Sequence, residues 1–474
     1  MSKKNKDKIK IAFLGKNATQ VTGSMILITT PKKQILLECG MIQSNKVEND
    51  YKDNSKSFPF KPKSIDYVFI NHFHADHGLR TPKLIRDGFE GKIITTSITK
   101  ALMKPMGLDS ANIVRKDAEY MSKKRGKQIY PYYSEEDIYR MIELTEIYGY
   151  DEIYKLDNEI SFRFLHNSHI IGACQLELFI KNESGYISKI CYSSDLGRVN
   201  LKNHYVDDLE KCKNTTIFIS ECTYGATDKN IKQDRNKDLE KIKTSIEQVC
   251  NIQKGRILIP SFSLSRAQQI LTDLYLIYSK DKSFTTPIIV DSPLIWEVNK
   301  VYHEMLEGED KELFEKVCNW KNVRFIKDYK ESKLCVEDSS SKIIIASSGF
   351  LNKGRSCNYA QSIIKTSKDH IIFVGYSPKE SIAGKIKSGQ KNINIDGKTF
   401  KNKCTCTILN SYSSHIQQKE LLDYLKDVNC EKVYLVHSDI ESKLEFKELL
   451  ETEYRKMNKT TRIICTTKDT ICNL

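Results

Sequence analysis

Asn71-His72-Phe73-His74-Ala75-Asp76-His77 follows directly on the apolar run Tyr67–Ile70. Three of the chain's ten histidines fall in this one stretch, with an aspartate among them. The end of a strand is a rigid place from which to project side chains into a cleft. His72 and His74 alternate with Phe73 and therefore point one way. Asp76 and His77 lie at the turn into a helix and can address a second ion. Imidazole and carboxylate are ligand types that suit zinc. One such segment is not a full site, because two zinc ions about 3.5–4 Å apart need some six or seven ligands. Working outward, ligand-type residues recur just after other apolar runs. His169 lies in Ser168-His169-Ile170-Ile171-Gly172, Asp195 in Ser193-Ser194-Asp195-Leu196-Gly197, and His437 ends Val433–Val436.

The flanking pattern sets the organisation. Short apolar runs at Ile11–Gly15, Val21–Thr30, Gln34–Gly40, Asp66–Asn71 and Lys92–Thr96 read as strands, with Pro31-Lys32-Lys33 as a hairpin turn. Ser161–Leu165, Gln175–Lys181 and Lys189–Ser193 continue the series, while residues 110–155 are charged and expected to be helical. From about residue 220 strands and helices alternate strictly. Thr216–Ser220, Arg256–Pro260, Pro287–Asp291, Lys342–Ser347 and His370–Gly375 are strands, and Asp238–Cys250 and Arg266–Tyr278 are the clearest helices. Such alternation implies a parallel α/β sheet. The tail offers Thr405–Leu409, Gln417–Lys426, Lys432–His437 and Glu441–Tyr454 as strand, helix, strand, helix. The expected class is α/β, a layered domain with a second parallel α/β domain inserted into it.

Composition narrows the function classes. The chain has 474 residues, 39% of them hydrophobic and 29% charged, enough apolar material for sizeable cores. The formal charge of +14 favours a polyanionic partner such as nucleic acid. The longest apolar runs, such as Ile371–Val374, fall far short of the roughly 20 residues that span a bilayer, so no membrane role is expected. The basic N-terminal run MSKKNKDKIK is followed by no apolar segment and does not read as a signal peptide. Fourteen cysteines in a chain this long are too sparse for a disulfide scaffold. Reduced thiols and a cytoplasmic location are expected, with Cys404 and Cys406 as buried thiols rather than a metal clip.

Together these segments resemble the metallo-β-lactamase superfamily, and within it the β-CASP nucleases, a group that includes RNase J and the cleavage and polyadenylation endonuclease subunit. "LLECGM" (Leu36–Met41), "HFHADH" (His72–His77), "SHIIGA" (Ser168–Ala173) and "SSDLGR" (Ser193–Arg198) are similar to its four metallo-β-lactamase motifs. "ISECTYG" (Ile219–Gly225), "SYSSH" (Ser411–His415) and "YLVHSD" (Tyr434–Asp439) resemble motifs A, B and C. "PSFSLSRAQ" (Pro260–Gln268), "VDSPL" (Val290–Leu294) and "IASSGFLNKGR" (Ile345–Arg355) resemble further signatures.

The resemblance implies an αββα metallo-β-lactamase sandwich in two parts, residues 1–220 and 400–474, interrupted by a β-CASP domain at 221–399. It implies two zinc ions per chain, one held by His72, His74 and His169, the other by Asp76, His77 and His437, with Asp195 bridging. Asp76 would also orient the attacking hydroxide. His415 would be the general acid for the leaving 3′ oxygen, positioned by Glu221. Ser261, Ser263 and Arg266, with Ser347, Ser348, Gly349 and Arg355, would bind substrate phosphates. The implied activity is hydrolysis of single-stranded RNA, endonucleolytic with 5′–3′ exonuclease action left open, and the inserted domain would cover the cleft. A homodimer or RNA-processing partners are the associations it leaves open.

Departures from the family pattern bear on detail. Glu38 stands where the first motif usually has Asp, a residue that supports the metal shell; Ser168 replaces the usual Gly; and Phe350–Arg355 lacks the usual Met-Leu and glycine pair. The DNA nucleases of the Artemis-like branch characteristically carry Val where this chain has His437, which favours RNA. A catalytically inactive RNA-processing scaffold would have lost ligands, and a small-molecule hydrolase such as a lactonase would lack the insertion and motifs A to C. His166, His204, His303 and His370 have no ligand-like context. The run Lys123-Lys124-Arg125-Gly126-Lys127 could follow a nucleic-acid backbone or simply end a solvated helix.

Overall fold

The structure, a computed structural model, describes residues 9–44, 46–226 and 233–474. Most of the basic N-terminal run lies outside the described residues. The chain folds into two units: Met1–Lys202, Val206–Asn230 and Ser414–Leu474 form one, and Asn203–Tyr205 with Ile231–Ser413 the other.

The first unit is built on two seven-stranded sheets. One runs, in spatial order, Ile471–Asn473, Lys10–Phe13, Ile26–Thr29, Gln34–Leu37, Tyr67–Phe69, Lys92–Thr95 and Thr145–Ile147. The other runs Arg462–Cys465, Lys432–Val436, Ile217–Glu221, Ile187–Tyr192, Cys174–Lys181, Ile160–His166 and Tyr154–Lys155. Alternate residues of each strand face a shared core. Ile11, Phe13, Ile28, Ile35 and Phe69 from the first sheet meet Phe162, Phe164, Leu176, Ile190 and Ile219 from the second. Phe69 meets Phe162 edge to face at 5.1 Å, and Phe13 stacks on Tyr434 at 5.2 Å. Residues on the outer face of the second sheet, among them Cys191, Phe218, Val433 and Leu435, are covered by Leu421, Tyr424 and Leu425 of helix Gln418–Lys426 and by Phe446 and Leu450 of helix Ile440–Lys456. On the first sheet's far side, Thr145 donates to Met141 O at 2.7 Å and Lys100 Nζ to Thr145 O, tying in helices Glu135–Glu143 and Ser97–Arg125. These layers are helix, sheet, sheet, helix.

The second unit carries a six-stranded sheet in the order Val323–Ile326, Ile288–Asp291, Lys342–Ala346, Arg256–Pro260, His370–Val374, Thr405–Leu409. Every pairing in it is parallel. Both faces are buried, which explains the near-continuous apolar strands. Ile257, Ile259, Ile343 and Ile345 face one core with Ile270, Leu271 and Leu274 of helix Arg266–Tyr278. Leu258, Ile344, Ile371 and Phe373 face the other, with Tyr359, Ala360 and Ile363 of helix Arg355–Ile363.

Several expectations need adjusting. Thr405–Leu409 pairs with His370–Val374, so this strand belongs to the inserted sheet, and the division falls at Ser413 rather than 399. At the other junction, the described residues of the first unit run on to Ala226, beyond the expected 220. The expected helical stretch 110–155 ends its helices at Glu143; Thr145–Ile147 and Tyr154–Lys155 are edge strands of the two sheets. All fourteen cysteines are free thiols. Cys404 and Cys406 are half-buried rather than buried, since they lie on or beside an edge strand. No helix among the described residues is long and apolar enough to cross a membrane.

Candidate metal centre

The three parallel strands Ile187–Tyr192, Ile217–Glu221 and Lys432–Val436 are neighbours in the second sheet, so their carboxyl ends lie side by side. Those ends carry Asp195, Glu221 and His437. The first sheet contributes the other half. After strand Tyr67–Phe69 the chain makes a short helix, Ala75–Gly78, with His74 at its N-cap position. The preceding loop is laced onto this turn by backbone hydrogen bonds: Cys39 N–H to His77 O at 2.8 Å, Met41 N–H to Ala75 O at 2.8 Å and Ser24 N–H to Asp76 O at 2.8 Å. Gly40 permits the approach, because a Cβ there would stand 1.7 Å from Asp76 O. Gly197 does the same for His169, with a virtual Cβ 1.8 Å from Ser168 C. Ser168 takes the left-handed conformation itself (φ 64°) and donates its hydroxyl to Arg198 O at 2.9 Å.

The expected ligand residues converge. Metal-binding atoms of His72, His74, His169 and Asp195 lie within 4.8 Å of one another, as do those of Asp76, His77 and His437. Asp195 stands between the sets. Its Oδ2 is 3.7 Å from His72 Nε2, 3.7 Å from His169 Nε2 and 3.2 Å from His77 Nε2, and its Oδ1 is 3.2 Å from His437 Nδ1. His437 Nε2 is 3.4 Å from Asp76 Oδ2. Asp195, Glu221, His415 and His437 bring their ligand atoms equally close together, as do Glu38, His72 and His77. No metal-holding group among the described residues contains a cysteine.

The site fits a cation. His72 Nε2, both ring nitrogens of His77, and Asp195 Oδ1 are buried and make no hydrogen bond. Leaving such atoms orphaned in a dry interior costs about 1–3 kcal/mol each, a cost that a bound ion removes. Charge points the same way. Burial lowers the pKa of His72 and His169 well below the ordinary histidine range and that of His74 to about 4, so these imidazoles are neutral, as ligation requires. Asp195 stays anionic: burial would raise its pKa, but His437, His77 and His415 hold it well below the usual range. His77 is the exception. Burial opposes its charge, yet Asp195 and Asp76 push its pKa well above the ordinary value, so a proton sits where a cation could.

His415 occupies the rim, with a 21% exposed side chain. Its Nδ1 faces Glu221 Oε1 at 3.2 Å and its Nε2 faces Asp195 Oδ2 at 4.0 Å. Glu221 is itself fixed by backbone donors, Leu196 N–H at 2.6 Å and Thr223 N–H at 3.2 Å. Burial lowers the His415 pKa, but Glu221 and Asp195 more than offset it and carry it to about 9.

Sequence reasoning missed the residues that hold these ligands. Thr223 Oγ1 lies 3.0 Å from His437 Nδ1, and Asn17 O accepts the His437 N–H at 2.6 Å. Ser194 Oγ lies 3.1 Å from His72 Nδ1. Thr223 and Ser194 lie inside the motifs Ile219–Gly225 and Ser193–Arg198 but were given no role there; Asn17 carried no signal.

The expected phosphate residues belong to the second unit and meet different fates. Ser261, Arg266 and Gly349 line one small pocket with Phe262, Phe350 and Tyr376, beyond the carboxyl ends of three parallel strands. Ser261 Oγ there is buried and without a hydrogen bond. Ser263, Ser347, Ser348 and Arg355 do not line it. Ser347 donates to Ser292 Oγ at 2.8 Å and Ser348 to Lys353 O at 3.1 Å. Arg355 is engaged within the fold: its guanidinium pairs with the fully buried Asp291 and donates to Ile326 O at 3.1 Å and Lys327 O at 2.8 Å. Those three contacts favour a structural role for Arg355.

Comparison with known proteins agrees with this architecture. Residues 267–386 match the family model described as a Beta-Casp domain, and residues 403–463 the Zn-dependent metallo-hydrolase RNA specificity domain. The chain is 27% identical over 441 residues to ribonuclease TTHA0252 of Thermus thermophilus, covering 91% of this chain and 94% of that protein. It is 26% identical to the transcription termination factor FttA of Methanocaldococcus jannaschii, over 94% of this chain and 70% of the other. Integrator complex subunit 11 of Danio rerio is 25% identical over 94% of this chain and 72% of its own length. A crystal structure of an Enterococcus faecalis protein of unknown function shares the fold, with a TM-score of 0.52 at 12% identity over 98% of this chain and all of that one. Two adjoining family models, relatives aligned over nine-tenths of the sequence and a paired-sheet unit interrupted by a parallel one point one way: the chain carries a Beta-Casp domain followed by a Zn-dependent metallo-hydrolase RNA specificity domain, and it is similar along its length to RNA-processing proteins.

Proposed function

We propose that this chain is a zinc-dependent ribonuclease that hydrolyses phosphodiester bonds of single-stranded RNA. The observation that carries the reading is the convergence of buried ligand-type side chains, several with orphaned atoms, at the carboxyl ends of neighbouring strands. RNA as substrate is supported by relatives named as ribonuclease and termination factor, and by the RNA specificity domain. The full complement of ligand types argues against an inactive scaffold.

His72, His74 and His169 would hold one zinc and Asp76, His77 and His437 the other, with Asp195 shared. When bound, the pair supplies an acidified water and positive charge opposite the scissile phosphate. The chain's own residues do the rest. Asp195 reaches both ligand sets and holds their spacing. Asp76 Oδ2 offers an acceptor that orients the attacking water. His415 holds a proton on Nε2, facing the cluster, and delivers it to the departing 3′ oxygen, while its Nδ1–H stays on Glu221 Oε1. Glu221 fixes that tautomer and keeps the imidazole charged near neutral pH.

The test is turnover of internally labelled single-stranded RNA against the DNA of the same sequence by zinc-loaded protein. RNA should be cut preferentially. Equal turnover would favour a DNA nuclease, and cleavage of neither would remove the reading.

A further inference from the structure

The loop that delivers Asp195 holds a residue which the ligand set does not use. Ser194 sits in the left-handed backbone region at φ 51°. That conformation costs a residue with a Cβ about 1–3 kcal/mol and persists where the surroundings demand it. Its side chain is buried, 2% exposed, between two groups of opposite hydrogen-bonding character. Ser194 Oγ lies 3.0 Å from Glu38 Oε1 on one side and 3.1 Å from His72 Nδ1 on the other.

A hydroxyl has one proton to give, and a carboxylate can only accept. The Ser194 proton therefore goes to Glu38, and its oxygen must accept from His72 Nδ1–H. His72 is thereby fixed as the tautomer with a bare Nε2. That atom makes no hydrogen bond and faces Asp195 Oδ2 at 3.7 Å. The same Glu38 oxygen lies 3.6 Å from His77 Nδ1, beyond hydrogen-bond length, while His77 Nε2 faces Asp195 at 3.2 Å and Asp76 at 3.8 Å. Glu38 is held in turn by the Asn71 N–H, at 3.3 Å and 3.4 Å from its two oxygens.

We propose that Ser194 is a positioning residue, whose hydroxyl relays Glu38 to His72 so that a buried carboxylate orients a histidine of one metal position. The proposal rests on the reading of His72 as a metal ligand. Groups that orient a ligand imidazole typically carry about 10–100-fold in metal affinity.

The experiment is zinc competition against a chromogenic chelator, together with the visible spectrum of cobalt(II)-loaded protein, for wild type, Ser194→Ala and Ser194→Gly. Wild type should take two ions. Both variants should hold one ion about 10–100-fold more weakly with the other nearly unchanged, and the cobalt band of the weakened position should shift. Glycine fits φ 51° without strain, so the Ser194→Gly apoprotein should melt no lower than Ser194→Ala while losing the same affinity. Glu38→Asp should reproduce the loss by withdrawing the carboxylate from Ser194. If wild type binds two ions and Ser194→Ala binds them as tightly, the relay is wrong while the metal reading stands. If Ser194→Gly keeps full affinity and Ser194→Ala does not, backbone geometry rather than the hydroxyl is responsible, and the relay is again refuted. Wild type that takes up no metal would overturn both.

Discussion

Replacing His415 with alanine should separate proton transfer from metal binding. The imidazole lies on the rim of the cluster, bound through Nδ1 to Glu221 at 3.2 Å, with Nε2 4.0 Å from Asp195. Its removal leaves Glu221 satisfied, because Leu196 N–H and Thr223 N–H still donate to that carboxylate. The lost charge-assisted hydrogen bond should therefore cost the fold about 1.5–3 kcal/mol. Losing a general acid costs about 10²–10⁴-fold in rate, or roughly 2.7–5.5 kcal/mol of barrier. Since His415 also lies close enough to share an ion with Asp195, Glu221 and His437, the two roles must be measured apart. The assay is zinc content beside single-turnover RNA cleavage for His415→Ala, Glu221→Gln and His437→Ala. His415→Ala should keep its zinc and bind RNA yet cut at least about 10²-fold more slowly. Glu221→Gln should lose less rate. Because burial lowers the His415 pKa and Glu221 is the leading charge that carries it up to about 9, this variant should also move the basic limb of the pH–rate profile to lower pH. His437→Ala should lose zinc together with activity. Loss of zinc from His415→Ala, or cleavage at the wild-type rate, would refute the assignment.

Zinc affinity should rise with pH, by about tenfold per unit for one displaced proton, because Asp195 and Asp76 hold a proton on the buried His77 that the ion must expel; chelator competition between about pH 6 and 8 that shows no slope would contradict this. Gly40→Ala should lower metal affinity and melting temperature together, since its Cβ would stand 1.7 Å from Asp76 O and the ligand turn must shift to admit it; calorimetry and zinc titration identical to wild type would show that the turn yields freely. Arg355→Met should destabilise by up to about 3–5 kcal/mol, since the fully buried Asp291 would lose its cation and keep only the hydroxyls of Ser332 and Tyr359, with no change in KM for RNA among the molecules that remain folded; a raised KM with unchanged stability would support Arg355 as a phosphate ligand.

Much of the fold was legible because its signals are local. The parallel sheet declares itself in four apolar runs, Arg256–Pro260, Pro287–Asp291, Lys342–Ser347 and His370–Gly375, separated by helical stretches, since strands buried on both faces cannot alternate with polar residues; Thr216–Ser220, read with them, belongs to the first unit. The cluster at His72–His77 is dense enough to be recognised alone, and the distant ligands fall at the strand ends where such a site must gather them. What escaped depends on pairing that periodicity does not encode. Nothing in Thr405–Leu409 says that it pairs with His370–Val374 rather than with the first unit, and that single pairing moves the boundary to Ser413. Thr145–Ile147 is a three-residue edge strand following a charged helix, too short for a period of two to show. Arg355 carried the chemistry of a phosphate ligand, but Asp291, 64 residues away in sequence, had already claimed it. Ser194 and Thr223 look like ordinary loop hydroxyls until their distances to His72 and His437 are known.

The central claim is that the buried His and Asp cluster is a two-zinc centre that cuts RNA. The most direct measurement is the zinc content of the purified protein and of His74→Ala, read beside cleavage of single-stranded RNA before and after chelation and zinc return. About two zinc ions per wild-type chain are expected, with less in His74→Ala, and cleavage should vanish with the metal and return with it. Wild-type protein that holds no zinc even after incubation with it, or that cuts RNA equally well once stripped, would contradict the claim.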